Sequence, residues 1–203
     1  MRVNQTNSVP MDWIFLAKSY LALAYIGICE ISEKKYCKQP SYLWRVSKQV
    51  YDAKLLLIPV IWNIKHAIEL VLKANSFTFK KKYSKTHKLS DLKDELADIL
   101  CINKVGEDKK FDELVCIVDK YYKLEIFNGK LVGKQTIFDI DNDILRYPEG
   151  NKANFKLNIK LFGESTNKEI AELRDDIELI NRRLNIPCDF GHLKPFWADY
   201  SKK

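Results

Sequence analysis

The segment IWNIKHAIELVLKA, residues 61 to 74, places a histidine, a carboxylate and a lysine on successive positions of one helical stripe: His66, Glu69 and Lys73. A neutral imidazole can give or take a proton near pH 7, a carboxylate one turn on can orient or charge it, and a lysine can hold a phosphate. Together they could perform acid and base chemistry beside a bound phosphate. Glu69 and Lys73 are also an i,i+4 pair in the favourable order, which exposed helices use for stability alone. The stripe is therefore either a wet face or a site.

The helix that carries it follows from periodicity. At about 100° per residue, Leu57, Ile61, Ile64, Ile68 and Val71 fall within a narrow arc, as a core-facing stripe does. Trp62, His66, Glu69 and Lys73 lie roughly 120° to 180° from that arc. Downstream, KKKYSKTHK, residues 80 to 88, gathers Lys81, Lys82 and His87 beside Phe77 and Phe79. Basic side chains interleaved with rings suit a phosphate backbone and stacked bases, and a solvated lysine loop has the same composition.

The remaining elements must position these two segments. A first helix is expected from about Met11 to Lys35, with Trp13, Phe15, Tyr20, Leu23 and Tyr25 in an apolar band. The second should begin near Ser41, which can cap it, and continue to about Asn75, with Pro59 kinking or dividing it. SDLKDELADILC reads as a third helix capped by Ser90. A fourth carries Phe111, Leu114, Val115, Val118 and Tyr122 and ends near Asn128 and Gly129. In residues 127–162, Phe155, Leu157, Ile159 and Leu161 alternate with Lys156, Asn158 and Lys160, the pattern of a small β-ribbon. The last helix opens on Thr166 and Glu169 as a capping box, includes the pair Glu178 and Arg182, and stops before Pro187. The tail brings Phe190, Phe196, Trp197 and Tyr200, which can dock on the body or on a second subunit. These elements predict one mainly α domain over residues 1–203: an up-and-down helical bundle, a ribbon insertion, then a C-terminal helix and tail from about residue 164.

Composition narrows the function classes. Seven glycines and six prolines are too few for a barrel or sandwich of many short strands. Lysine and arginine exceed aspartate and glutamate by 34 to 27, so the net charge of +7 suits a polyanionic partner. The five cysteines lack a C-x-x-C spacing and read as reduced thiols of a cytoplasmic protein. Three scattered histidines give no metal site, and no cofactor is expected. Lys18 and Glu30 break the apolar run near the N-terminus, so neither a membrane span nor a membrane partner is expected. GKLVGK, residues 129 to 134, imitates a phosphate loop but has three residues between its glycines and Gln135 where a Ser or Thr should bind magnesium. No G-x-S-x-G, H-E-x-x-H or G-x-G-x-x-G occurs.

Three pieces in order carry a family resemblance: LLLIPVIWNIKHAIELVLKA, then KTHKLSDL, then DILRYPEG. Together they resemble a prokaryotic group within the HEPN superfamily (higher eukaryotes and prokaryotes nucleotide-binding). In that group a Pro-containing apolar helix runs into Arg-His-x-x-Glu-Leu-x-Leu-Lys, followed by a His-x-Leu helix start and a late Arg-Tyr-Pro. The matching positions here are Lys65, His66, Glu69, Leu70, Leu72 and Lys73, then His87 and Leu89, then Arg146, Tyr147 and Pro148. The resemblance implies an all-helical domain, commonly a homodimer, often found with toxin and antitoxin pairs or phage defence. Many members are metal-independent RNases whose signature is an arginine followed by a polar residue and, within four to six positions, a histidine. None of the six arginines here has a histidine at that distance, whereas Lys81 and Lys82 precede His87 at it.

On this reading the chain is directed at RNA or a nucleotide, with a cognate antitoxin or defence protein as a further partner. As a metal-independent endoribonuclease it would use His66, Glu69, His87 and Arg146 in catalysis. Lys65, Lys73, Lys81, Lys82 and Tyr147 would then hold the substrate. The alternative is a non-catalytic module that binds a nucleotide, RNA or a protein.

Overall fold

Apolar residues at helical spacing give five helices and no strand among the described residues, which are 9–33, 56–82, 84–102, 109–126 and 167–183 of the computed structural model. The helices are α1 (Val9–Glu33), α2 (Leu57–Lys80), α3 (Leu89–Ile102), α4 (Lys109–Tyr122) and α5 (Asn167–Arg183). A mainly helical bundle was expected, and this is one. The expected ribbon falls outside the described residues, as do Ser41, Thr166 and the C-terminal tail.

Each helix packs on its chain neighbours, and α5 closes the ring by returning to α1. The α1 and α2 pair is the most extensive and runs antiparallel: Trp13 meets Phe77 at 6.1 Å between ring centroids, while Gly27 approaches Val60. A Cβ on Gly27 would lie 2.6 Å from the Val60 side chain, so glycine permits the close crossing. From the other helices, Leu21 and Ile28, Leu92 and Leu96, Leu114 and Val118, and Leu173 and Ile177 fill the interior.

The centre of the bundle is α2. Its predicted core stripe, Leu57, Ile61, Ile64, Ile68 and Val71, is wholly buried, and burial stabilises each such side chain by about 1.5–3 kcal/mol. On the opposite stripe Glu69 and Lys73 are buried and Trp62 and His66 are partly covered, and Leu70, Asn75 and Ser76 elsewhere on the helix are buried as well. A helix buried nearly all round has no wet face.

Details at the helix ends differ from the sequence expectation for local reasons. Pro59 lies in the first turn of α2, where its missing N–H has no intrahelical acceptor to lose. Ser90 does not cap α3. The helix starts at Leu89, the Lys88 carbonyl accepts from Leu92, Thr86 accepts from the Lys88 N–H, and the Ser90 hydroxyl turns to Asp91. The α4 helix stops at Tyr122, short of Asn128, because Leu124 takes a left-handed conformation with φ 51° and the Glu125 N–H bonds back to Lys120. At the far end of α5, Arg183 pairs with Glu113 of α4.

The span Pro10–Ser32 of α1 is long and apolar enough to cross a membrane by length and composition, despite Lys18 and Glu30. Its inner face packs on α2 and α5. Phe15, Leu16, Leu23 and Ile26 are exposed on its outer side.

Candidate functional site

The Glu69 carboxylate gathers the site. At 2% exposure it is sealed within the bundle, on the α2 stripe that the sequence left as either solvated or functional. Lys73, one turn on, donates to Oε1 at 2.9 Å. The same oxygen lies 2.8 Å from His87 Nδ1, reached across the turn that joins α2 to α3. Oε2 faces His66 Nδ1 at 3.8 Å. Four of the residues singled out from the sequence thus meet at one carboxylate.

The local backbone explains how His87 arrives there. Lys81 closes α2 in the left-handed region, φ 52°, with its N–H bonded to the Phe77 carbonyl at 2.8 Å. The chain then reverses and enters α3 directly after His87 and Lys88. An ionised carboxylate only accepts, so His87 donates from Nδ1, and a neutral ring so bonded has its lone pair on Nε2. With 61% of its side chain exposed, His87 is the solvent-facing member of the group.

His66 is held differently. Its ring is parallel to the indole of Trp62, 5.1 Å between centroids and 10° between planes. Tyr20 of α1 meets it edge-on at 4.6 Å and 88°. Only 18% of the side chain is exposed, and Nδ1 is buried on the Glu69 side. Trp62 was visible in sequence as a member of the same stripe. Tyr20 was not, because only the antiparallel packing of α1 brings it there.

The basic segment lies beside this group. Lys80 pairs with Glu95 at 3.0 Å and Lys88 with Asp91 at 2.9 Å. Lys81, Lys82 and Lys85 are exposed, and no carboxylate among the described residues pairs with them. Lys65 departs from its expected role: at 1% exposure its ammonium is out of reach of a strand on the surface, which removes it from the substrate-binding set. Arg146 and Tyr147 lie outside the described residues.

A second polar cluster joins α4 to α5 and was not anticipated. Asp176 accepts from Lys120 at 2.7 Å and from the Tyr121 hydroxyl at 2.9 Å, and Lys120 also donates to Glu172 at 2.8 Å. Burial and the neighbouring Asp176 carboxylate push the Tyr121 phenol well above its ordinary value. Burial pulls Lys120 down, but its hydrogen bonds to Asp176 and Glu172 outweigh that and hold it above the usual lysine value. An open groove of about 520 Å³ borders the cluster, lined by Glu113, Cys116, Ile117 and Leu179 among others. No group of three or more His, Cys, Asp or Glu side chains among the described residues could hold a metal ion.

Comparison with known proteins adds no relative: no family model, no curated protein and no solved structure matches the chain.

Proposed function

We propose that the chain is an RNA-directed protein of the HEPN type, and that it cleaves RNA without a metal at the Glu69 cluster. The carrying observation is one buried carboxylate that holds two imidazoles and an ammonium together: His66, His87 and Lys73 all address Glu69. His87 turns Nδ1 to the carboxylate, and its exposed ring can exchange protons with a bound ester through Nε2, with His66 Nδ1 facing the same carboxylate at 3.8 Å. Lys81, Lys82 and Lys85, exposed in the same segment as His87, supply positive charge for a phosphate backbone. The net charge of +7 and the ordered HEPN-like pieces support the same reading.

The chemistry is attack of a ribose 2′-hydroxyl on the adjacent phosphate. One imidazole accepts the hydroxyl proton, the other protonates the departing 5′-oxygen, and nearby cations stabilise the phosphorane as negative charge builds. Glu69 is a positioning residue: it orients His87 through the bond to Nδ1, while Trp62 and Tyr20 hold the ring of His66. Arg146, which the resemblance places in the same set, remains part of the proposal.

The test is purified protein incubated with total RNA in EDTA, beside His66→Ala and Glu69→Gln at temperatures where all three are folded. Cleavage by the parent, leaving 2′,3′-cyclic phosphate ends and reduced by about 10²-fold or more in both variants, is the expected result. Intact RNA in the parent lane overturns the ribonuclease reading. RNA retained on a filter without cleavage would make the chain a binding module.

A further inference from the structure

We infer that the groove between α4 and α5 is a binding site for a linear aliphatic polyamine, a chain of methylenes with an ammonium at each end. The inference stands apart from the ribonuclease reading, because the groove is built on other helices than the Glu69 cluster.

The groove follows from an antiparallel register. Lys120 meets Asp176 and Arg183 meets Glu113, so seven residues along α4, 113 to 120, are matched by seven along α5 in the opposite direction, 183 to 176. Between these two crosslinks the walls are Cys116 and Ile117 on one side and Leu179 on the other. The space, about 520 Å³, falls in the range of small-molecule sites, and its mainly apolar walls suit methylenes.

Each end of the groove has a carboxylate short of a cation. At one end Lys120 is shared between Asp176 and Glu172, two carboxylates on one ammonium. Asp176 is buried, and it accepts from both Lys120 and Tyr121 at Oδ2, so Oδ1 takes no bond from a described residue. Burial holds this carboxyl above the usual carboxylate range even with Lys120 bonded to it, as expected of a charge that is incompletely balanced. At the other end Arg183 engages Glu113, and the adjacent Asp112, exposed on the rim, pairs with no described cation. Asp112 and Lys120 are eight residues apart on α4, about 12 Å along the axis. Ammonium groups hydrogen-bonded inside the two ends are then roughly 8–12 Å apart, a span that extended spermidine covers. A metal ion or a single ammonium reaches one end only, and an anion meets a carboxylate at both.

Cys116 is exposed in the middle of the groove and reports its occupancy. Alkylation of the whole chain by iodoacetamide is followed by peptide mass spectrometry, with Cys29 of α1 as the internal reference. Spermidine, or the terminal diamine of octane, should slow alkylation of Cys116 about tenfold at about ten times its dissociation constant and leave Cys29 unchanged. Ethylenediamine and magnesium carry the charge without the span, and both thiols should react in them as they do in buffer. Asp112→Asn, a change on the exposed rim, should raise the spermidine concentration for half protection by about two- to fivefold. Asp176→Asn should raise it further. Equal protection by ethylenediamine or magnesium overturns the site, as does a Cys116 rate that is unaltered up to millimolar spermidine. Protection undiminished in Asp112→Asn overturns it too, whether or not Asp176→Asn folds.

Discussion

His87 Nδ1 lies 2.8 Å from Glu69 Oε1, eighteen positions away along the chain, and the bond ties the start of α3 to the middle of α2. One partner is sealed and the other is open to solvent, at 2% and 61% exposure. A carboxylate in that position cannot be solvated, so its charge is balanced by side chains. Its visible partners are Lys73, His66 and His87.

Glu69→Gln tests that balance. The amide retains the shape and a hydrogen-bond acceptor but leaves the Lys73 ammonium, itself largely buried, without its counter-charge. Stability in denaturant should fall by roughly 1–3 kcal/mol, the usual cost of a buried polar group losing its partner. Lys73→Met in the same background should recover part of the loss, since it removes the stranded cation. Unchanged denaturation midpoints would mean that water, rather than Glu69, carries the charge of Lys73.

Gly27→Ala should destabilise the α1 and α2 pair. The added methyl meets the Val60 side chain at 2.6 Å, closer than two carbons approach, so either the helices separate or Val60 leaves its rotamer. The expected loss is about 1–3 kcal/mol, partly relieved when Val60→Ala is combined with it. Strict additivity of the two changes in equilibrium unfolding would show that this crossing does not limit the approach of the helices.

The core stripe of α2 was legible in the sequence because five aliphatic residues repeat at the helical period, and that period alone fixes a face. The state of the opposite stripe was not legible. Whether Glu69 and Lys73 are wet depends on what lies over them, and that is decided by helices far away in sequence. The Glu69, Lys73 and His66 group was readable as residue types at one spacing. Joining His87 to it required the left-handed turn at Lys81, a conformation that a lysine does not advertise. Tyr20 and the Asp176, Lys120 and Tyr121 cluster depend on interhelical packing, for which one sequence carries no local signal. The cap of α3 was misplaced because Thr86 and Ser90 both offer a hydroxyl, and the start of the helix at Leu89 puts Ser90 inside its first turn.

The α4 and α5 cluster sets a pH dependence. Tyr121 and Lys120 both hold their protons more tightly in the folded chain than their ordinary values of 10.0 and 10.5 imply. A folded state that binds more protons than the unfolded state loses stability as pH rises through that window. Stability should therefore be level with respect to these two groups below about pH 9 and decline above it. Tyr121→Phe should flatten part of the alkaline decline, at the cost at neutral pH of about 1 kcal/mol for the hydrogen bond to Asp176. Denaturant titrations at neutral and alkaline pH measure both effects, and an alkaline slope unaltered by the variant would place its origin elsewhere.

Lys81 has two separable roles. Its left-handed backbone at the end of α2 favours glycine, so Lys81→Gly should raise stability by roughly 0.5–1 kcal/mol. Its exposed charge should work the other way on RNA affinity. For a single-stranded ligand, each phosphate left without its cation lowers the slope of log K against log salt by about 0.7, so Lys81→Gly should weaken binding at low salt and flatten that slope by this amount. Lys82→Ala and Lys85→Ala should each flatten it similarly without the gain in stability. Lys80→Ala should change it less, because Glu95 already engages that ammonium. Fluorescence anisotropy with a labelled oligoribonucleotide across a salt series gives the slopes, and equal slopes for all four variants and the parent would remove this loop from the RNA path.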